Sequence, residues 1–325
     1  MTAARQQLEA EYRALRHGVG AYFLDRDAVV VRGPDAIGYL QGQCSQDVAA
    51  LPVGSHADAL LLAPDGKLDA LVRVTRTAPE EAVVDTDGGF GEQVVARLVR
   101  FRLRTRVDIE LLDWSCLALR GAGVGRPGPT GPAVPEPSGG GEAGGVVLEL
   151  GVDWNGFGGV DLLGPPAGLQ VPEGAVRCSR EAWDACRVES GVPVMGAELD
   201  HRTIAAEAGL VERCVSFTKG CYTGQELVAR LDARGSRVAR RLCAVVPDPV
   251  PPSLEPDELA GAELRAPGAD KQLGMVTTAA WCPGVGAVAG LAYAHRSLAA
   301  PGPAELALGG SRARIPAVLR PLPLV

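Results

Sequence analysis

The chain has 325 residues, a formal net charge of −7, and 46% hydrophobic against 22% charged residues. This length exceeds one typical core and predicts two or three domains. The composition is that of a soluble globular protein, and the negative charge argues against a chain built to coat nucleic acid or an anionic membrane. No apolar run approaches the roughly 20 residues of a membrane span, and the opening residues lack a signal-peptide pattern, so we expect a cytoplasmic protein.

The first third of the chain predicts an α+β pattern. Residues 5–17 have the spacing of a helix, and residues 29–32 that of a strand. A second helix is predicted from about Pro34, because proline suits the first helical position. The apolar runs on either side of Pro64-Asp65-Gly66 predict a β-hairpin, and residues 91–99 predict another helix.

The segment RFRLRTRVDIELL, residues 100–112, is predicted to be a strand with its four arginines on one face. One interpretation is that this arginine row binds an acidic ligand such as a glutamate tail. The other is a solvated face of a half-buried strand. We favour the second interpretation, because charged faces of this kind are common.

Glycine and proline dominate residues 121–145, which predicts a flexible surface loop. Residues 180–192 are predicted to form a helix with Ser179 as its N-cap. A second stretch rich in helix and strand breakers, residues 247–256, predicts a domain boundary. The expected domains are residues 1–246 and a small C-terminal β-barrel at 257–325.

The chain has eight cysteines and no Cys-x-x-Cys pair, so neither a zinc site nor a local cluster motif is expected. Most cysteines are expected to be small buried groups in a reducing compartment. Cys221 stands apart, in KGCYTGQE at residues 219–226. Its spacing leaves two alternatives open. Either the ammonium of Lys219 favours a reactive thiolate, with Gly220 and Gly224 allowing a close ligand approach, or the segment is a glycine turn with a buried cysteine.

KGCYTGQE, followed by LVARLDARGSRVARRL, resembles the signature of the YgfZ family, folate-binding proteins of the glycine-cleavage T-protein superfamily. Three other segments resemble the same family: VVRGPDAIGYLQGQCSQDV, RVESGVPVMGAELDHRTIAAEAGL and GMVTTAAWCPGVGAVAGLAYA. The resemblance implies an α+β fold, in which two interleaved α+β domains form a ring and a C-terminal β-barrel follows. It also implies that tetrahydrofolate binds in the central hole.

The resemblance further implies a role in assembling or repairing iron–sulfur clusters in client enzymes, including enzymes that modify transfer RNA. The expected partners are iron–sulfur clients or cluster-assembly proteins, without direct binding of nucleic acid or membrane. Carried onto this sequence, it places the key thiol at Cys221, with Lys219 beside it as the second catalytic residue. The folate-binding candidates are Gln43, Glu189, Gly220, Tyr222, Gly224, Gln225, Glu226 and Arg230. No metal ligand is expected.

Two of these candidates have alternatives. Glu189 lies in a segment similar to the Arg-x-Glu-x-Gly segment of T-proteins, whose glutamate would accept hydrogen bonds from the pterin amino group and ring N–H. Its alternative is a surface glutamate at a helix end. Arg230 either binds a folate carboxylate or pairs with Glu226 one helical turn away.

One position departs from the T-protein pattern. T-proteins need an aspartate after the hairpin turn to transfer an aminomethyl group, and Ala70 stands at that place, next to Asp69. Alanine cannot orient or shuttle a proton, so this activity is not expected unless Asp69 substitutes. Two further alternatives are a non-enzymatic cluster scaffold and a folate-independent protein that keeps only the fold.

Overall fold

The computed structural model describes residues 3–124, 148–251, 253–309 and 314–325. The helices are α1 Ala3–His17, α2 Ala36–Gln43, α3 Gly91–Arg100, α4 Arg180–Ser190, α5 Val211–Cys214, α6 Gln225–Asp232 and α7 Pro256–Leu259. The first ten strands are β1 Gly20–Leu24, β2 Arg26–Arg32, β3 His56–Leu62, β4 Leu68–Ala78, β5 Glu81–Asp87, β6 Asp108–Leu112, β7 Ser115–Arg120, β8 Leu148–Trp154, β9 Phe157–Gly164 and β10 Val176–Arg177. The remaining strands are β11 Arg240–Pro247, β12 Glu263–Arg265, β13 Gln272–Cys282, β14 Ala287–His295, β15 Gly302–Ala307 and β16 Arg314–Arg320.

Two five-stranded sheets are interleaved in sequence. The first sheet has the order β10-β1-β7-β9-β8 and the second has the order β3-β4-β5-β2-β6. The chain enters the first sheet with β1, builds the whole second sheet, and returns to the first with β7. A small apolar cluster joins the sheets, with Ala28 and Val83 from the second and Cys116, Leu148, Leu150 and Leu163 from the first. This arrangement and the barrel below confirm the predicted fold class.

The C-terminal strands form a closed barrel in the order β11-β14-β13-β12-β15-β16. Its first strand begins at Arg240, so the barrel starts before the boundary predicted at residue 257. The proline-rich stretch at 247–256 connects elements of the barrel. Prolines mark a loop, but they do not distinguish a loop inside a domain from a linker between domains. The predicted boundary was therefore placed one strand too late.

Helices cover one face of the second sheet. Tyr39 and Leu40 of α2, Leu98 of α3 and Val228 of α6 are buried in one apolar cluster with Val72 of β4. The hairpin predicted at residues 64–66 joins β3 to β4, with Gly66 at φ +83°. This helical layer carries the KGCYTGQE motif, since Tyr222 packs against the same cluster.

The arginine segment is not the predicted strand over its first half. Helix α3 continues to Arg100, residues 101–107 form turns, and β6 begins only at Asp108. Arg104 has φ +58°, in the left-handed region, which a strand does not use. The alternation of arginines therefore spans a helix end and a connection, where period two has no structural meaning.

Other local predictions agree with the structure. Helix α4 follows Ser179, whose Oγ accepts a hydrogen bond from the N–H of Ala182 at 3.4 Å, as predicted for an N-cap. The helix ends at Gly191, which has φ +70°. Most of the loop predicted at 121–145 lies outside the described residues. Across the described ranges, no helix is both long enough and apolar enough to span a membrane.

Candidate functional site

Cys221 differs from the other cysteines in its exposure. All eight cysteines lie in described parts of the chain; seven are buried and Cys221 is exposed. Burial raises the pKa of Cys44 and Cys186 to about 12 and that of Cys178 to about 11. Because the thiolate is the reactive form, these buried thiols are protected at neutral pH, and Cys221 is the thiol that a reagent or partner can reach.

The ammonium of Lys219 is bound by main-chain carbonyls. It donates to the oxygens of Gln41 at 2.6 Å, Cys44 at 2.6 Å and Gln46 at 2.8 Å. These carbonyls lie at and beyond the end of α2, where a helix leaves its last C=O groups unpaired and where its dipole favours a cation. Burial lowers the pKa of Lys219. All three ammonium protons are used by these carbonyls, and the predicted activation of Cys221 by the Lys219 charge stays a prediction.

Three further motif residues build the turn that carries the thiol. Gly224 has φ +80°, and a Cβ on it would lie 2.4 Å from the carbonyl oxygen of Ala63 in the β3–β4 turn. Gln225 accepts a hydrogen bond from the N–H of Tyr222 at 3.1 Å. The Lys219 Nζ lies 5.1 Å from the centre of the Tyr222 ring. The motif is thus fastened to α2 on one side and to the hairpin on the other.

The remaining motif residues face solvent. Gly220, Glu226 and Arg230 are exposed, and an added Cβ at Gly220 would meet nothing within 4 Å. Glu226 and Arg230 lie one turn apart on α6, but no ion pair joins them in this part of the structure. The folate roles predicted for these three residues stay predictions.

A separate cavity of about 110 Å³ lies between the two sheets, closed by α4 and residues 192–194. Its aromatic lining is Trp154, Phe157 and Trp183. Its charged and polar lining is Arg26, Arg73, Arg120, Arg187, Arg213, Asp58, Asp87, Asp161 and His56. No residue of the 219–226 motif lines it. Ligand pockets usually have at least about 300 Å³, so this cavity suits one ring system of a ligand rather than a whole extended molecule.

The floor of the cavity is a buried ionic network. Arg73 donates to both carboxylate oxygens of Asp85, at 2.9 and 3.0 Å, and to Asp161 at 2.7 Å. Arg120 pairs with Asp161 at 2.7 Å, and Arg26 with Asp85 at 2.5 Å. Burial opposes ionisation of Asp161, but the guanidinium groups of Arg120 and Arg73 hold its pKa well below the usual range. These charges are matched to one another and serve the fold.

Two polar side chains of the cavity were missed by the sequence analysis. Asp87 keeps 18% exposure and accepts from Arg26 at 3.2 Å and from a main-chain N–H at 2.8 Å, and burial raises its pKa. Its two-residue spacing from Asp85 on a strand was the available signal. His56 donates through Nε2 to the oxygen of Gly151 at 2.9 Å, and burial lowers its pKa. The neutral ring therefore offers Nδ1 as an acceptor.

Glu189 lies outside this cavity. Its buried carboxylate accepts from the Tyr12 hydroxyl at 2.7 Å, from Arg16 at 2.9 Å and from the N–H of Gly284 at 2.8 Å. These bonds tie α4 to α1 and to the barrel. Burial, together with the hydrogen bond to Glu189, raises the pKa of Tyr12. The pterin role predicted for Glu189 stays a prediction, and this geometry does not support it.

Gln43, Asp69 and Ala70 also lie away from the cavity lining. Arg97 of α3 donates to Gln43 at 2.9 Å and to Asp69 at 2.7 Å, so both side chains hold α3 in place. Ala70 is 1% exposed in the apolar cluster beneath the helices. An aspartate at position 70 would bury a carboxylate among apolar groups, so Ala70→Asp would not restore a proton acceptor at the cavity.

Comparisons with known proteins agree with this fold. No family model matches the chain. A relative from Hamiltonella defensa, the tRNA-modifying protein YgfZ, is 28% identical over 65% of this chain and 65% of its own. The YgfZ protein of Serratia proteamaculans is 27% identical over 64% of this chain and 65% of its own. The chain thus spans just under two thirds of the length of these curated relatives.

Two aminomethyltransferases match more of the chain. That of Rubrobacter xylanophilus is 26% identical over 88% of this chain and 78% of its own. The crystal structure of aminomethyltransferase T of the glycine cleavage system from Bartonella henselae superposes with a TM-score of 0.80, covering 98% of this chain and 89% of that chain at 19% identity. The chain is therefore similar in sequence to YgfZ proteins and to an aminomethyltransferase, and it has the fold of aminomethyltransferase T of the glycine cleavage system.

Proposed function

We propose that this protein binds tetrahydrofolate in the cavity between the sheets and supports assembly or repair of iron–sulfur clusters in client enzymes through Cys221. The observation that carries the proposal is the isolation of one exposed thiol among eight cysteines, on a turn fastened at both ends. The YgfZ relatives bear the name tRNA-modifying protein, which is consistent with clients among the enzymes that modify transfer RNA.

The cavity has the chemistry that a pterin ring needs. A pterin presents an amino group and a ring N–H side by side, and a carboxylate accepts both. Asp87 and Asp58 are the two carboxylates that line the cavity with part of their surface open. Asp58 is bound by Arg213, so we assign the pterin to Asp87, with His56 Nδ1 as a second acceptor. Trp154 and Trp183 also line the cavity; Arg213 lies over the first ring and Tyr22 stacks on the second, so a pterin would contact what each ring leaves open. When bound, the reduced folate would supply a carrier for one-carbon groups.

The thiol and the cavity are separate elements of the protein. None of residues 219–226 lines the cavity, and the motif lies in the helical layer on the second sheet. In this proposal Cys221 therefore acts on a sulfur or metal centre that a client presents at the surface. Lys219 positions the turn by holding the carbonyls at the end of α2.

The test is calorimetric titration with tetrahydrofolate of wild type, Asp87→Asn, Glu189→Gln and Cys221→Ser. Wild type, Glu189→Gln and Cys221→Ser should bind alike. Asp87→Asn should lose about tenfold or more in affinity, because a hydrogen bond to a charged group contributes about 1.5–3 kcal/mol. Loss of tetrahydrofolate binding in Glu189→Gln alone would show that Glu189, and not Asp87, binds the pterin. Absence of binding in wild type would exclude tetrahydrofolate as a ligand.

The thiol is tested by the activity of iron–sulfur enzymes in cells that lack this protein. Expression of wild type should restore that activity, and Cys221→Ser should not. Cys44→Ser is the matched control, since Cys44 is buried and its replacement should leave restoration intact once folding is verified. Full restoration by Cys221→Ser would contradict the assignment.

Aminomethyl transfer is the second candidate, because a relative of that name aligns over 88% of the chain. Neither Asp69 nor Ala70 lines the cavity, and Asp69 is bound by Arg97. We therefore expect no transfer from an aminomethyl-lipoyl protein to tetrahydrofolate. Turnover by the wild-type protein would favour this candidate over the first.

A further inference from the structure

The connection at residues 100–106, hereafter the arginine loop, carries a concentration of unpaired positive charge. Arg100, Arg102, Arg104 and Arg106 are all exposed. Arg106 pairs with Asp35 at 3.1 Å, whereas the other three have no carboxylate partner among the described residues. The chain as a whole has a net charge of −7, so three arginines without carboxylate partners are opposite in sign to its overall charge.

The conformation of the arginine loop also departs from what stability alone favours. Leu103 is 84% exposed, more than any other large apolar side chain in the described ranges. Arg104, next to it, has φ +58°, which costs a non-glycine residue free energy. One exposed leucine carries little information by itself, and it is the arginines without carboxylate partners on either side of it that favour a contact surface.

The arginine loop and the thiol are attached to the same short helix. Arg106 binds Asp35, the residue before α2, and Lys219 binds the carbonyls at the other end of α2. Helix α2 has eight residues, a length of ~12 Å. A second link is Arg97, one turn before the loop, which reaches Gln43 at the thiol end. An extended polypeptide of about four residues spans the length of α2.

We propose that the arginine loop and the surface around Cys221 form one docking surface for an acidic segment of a client protein. Its acidic side chains pair with Arg100, Arg102 and Arg104, and an apolar recess of the partner receives Leu103. The client's reactive sulfur or metal centre then lies near Cys221. The inference rests on the proposed function only for the nature of the partner as a client.

A protein partner fits this surface better than nucleic acid does. Surfaces that bind nucleic acid extend positive charge over many phosphates and offer aromatic faces to bases. The most exposed apolar side chain of the arginine loop, Leu103 at 84%, is aliphatic and offers no ring face to a base, and the chain as a whole is negative. Leucine at the tip of a charged loop is suited to an apolar recess in a folded partner.

The experiment measures thiol–disulfide exchange with peptides of chosen charge. Each peptide has one cysteine in a mixed disulfide with 2-nitro-5-thiobenzoate, in a glutamate-rich, neutral or lysine-rich sequence. The Cys221 thiolate attacks the peptide sulfur, a new disulfide forms, and the coloured aromatic thiolate leaves. We expect the acidic peptide to react about tenfold faster than the neutral one at low salt, since steering gains of this size are usual, and salt should reduce the advantage.

Variants assign the effect to the arginine loop. Arg100→Glu/Arg104→Glu should abolish the preference for the acidic peptide. Arg241→Glu/Arg296→Glu makes the same change in net charge at exposed arginines of the barrel and should retain it. Equal rates for the three peptides, or equal loss in both double variants, would overturn the proposal. Protection of Cys221 by polyuridylate but not by the acidic peptide would overturn it in favour of nucleic acid.

Folding and function are controlled separately. Arg100→Gln/Arg104→Gln removes the charges without reversing them and should also lose the preference for the acidic peptide. It is used in place of Arg100→Glu/Arg104→Glu if the glutamate variant does not fold. The assay contains neither folate nor iron. A failed docking surface therefore shows in the peptide rates, whereas a failed functional proposal shows in folate titration and in the restoration of client activity.

Discussion

The cavity and the surface around Cys221 use charged side chains in opposite ways. In the cavity, three arginines are paired with three carboxylates at 2.5–3.2 Å, so the charges are compensated and buried: Arg26, Arg73 and Arg120 with Asp85, Asp87 and Asp161. In the arginine loop, Arg100, Arg102 and Arg104 have no carboxylate partner among the described residues, and the thiol of Cys221 is open to solvent. The first region holds the fold together and shapes a small enclosure, whereas the second remains available to a partner.

Two residues that are close in sequence can therefore belong to the two different regions. Lys219 and Cys221 are two positions apart, yet Lys219 belongs to the internal scaffold and Cys221 to the surface. Substitutions in the compensated network should therefore act on stability. Substitutions on the surface should act on reactivity or docking and leave stability nearly unchanged. The predictions below use that contrast.

The largest effect is expected for Arg73→Met. Removal of this guanidinium leaves the carboxylates of Asp85 and Asp161 buried with part of their compensation lost, which costs about 3–5 kcal/mol in the free energy of unfolding. The matched control is Arg202→Met, because Arg202 pairs with Asp200 at the surface with 76% of its side chain exposed, and it should cost less than about 1 kcal/mol. Urea unfolding measures both. Similar losses in the two variants would contradict a compensated buried network.

An intermediate effect is expected for Lys219→Met. The carbonyls of Gln41, Cys44 and Gln46 lose their shared donor, and we expect a loss of about 2–3 kcal/mol in the free energy of unfolding. Lys271→Met, at an exposed lysine, should change stability by less than about 0.5 kcal/mol.

The same variant tests whether Lys219 activates the thiol. Alkylation of Cys221 by iodoacetamide at one fixed pH should proceed at a similar rate in folded wild type and folded Lys219→Met, since the Lys219 ammonium contacts carbonyls and not the thiol. A much slower reaction in the variant would restore the direct role that the sequence suggested.

Sequence patterns predicted the elements whose rules are local. The hairpin at Gly66, the N-cap at Ser179 and the short strands of the barrel each follow from residues within a few positions of one another. The same reasoning failed where two local signals conflict, as in the arginine segment, whose alternation continues past the end of α3.

The site was predicted only in part, because its contacts join distant parts of the chain. Glu189 was chosen as a ligand from its motif, but its partners come from α1 and from the barrel, which spacing cannot reveal. Lys219 likewise finds its carbonyls at the end of α2. Asp87 lines the cavity because β5 lies opposite the first sheet, and the sequence does not show that placement. Motif membership identified the right segment and left the roles of its residues undetermined.

The smallest effect distinguishes the two glycines of the motif. Gly224→Ala places a Cβ 2.4 Å from the carbonyl oxygen of Ala63, at φ +80°, so it should cost about 1–2 kcal/mol in the free energy of unfolding and loosen the turn. Gly220→Ala meets open space and should stay within about 0.5 kcal/mol of wild type. Urea unfolding and the iodoacetamide rate of Cys221 measure both effects. If Gly220 instead allows close approach of a bound partner, Gly220→Ala would keep its stability and its alkylation rate but lose reaction with the acidic peptide disulfide. That combination would place Gly220 in the docking surface. Unchanged exchange with the acidic peptide would limit the docking surface to the arginine loop and Cys221.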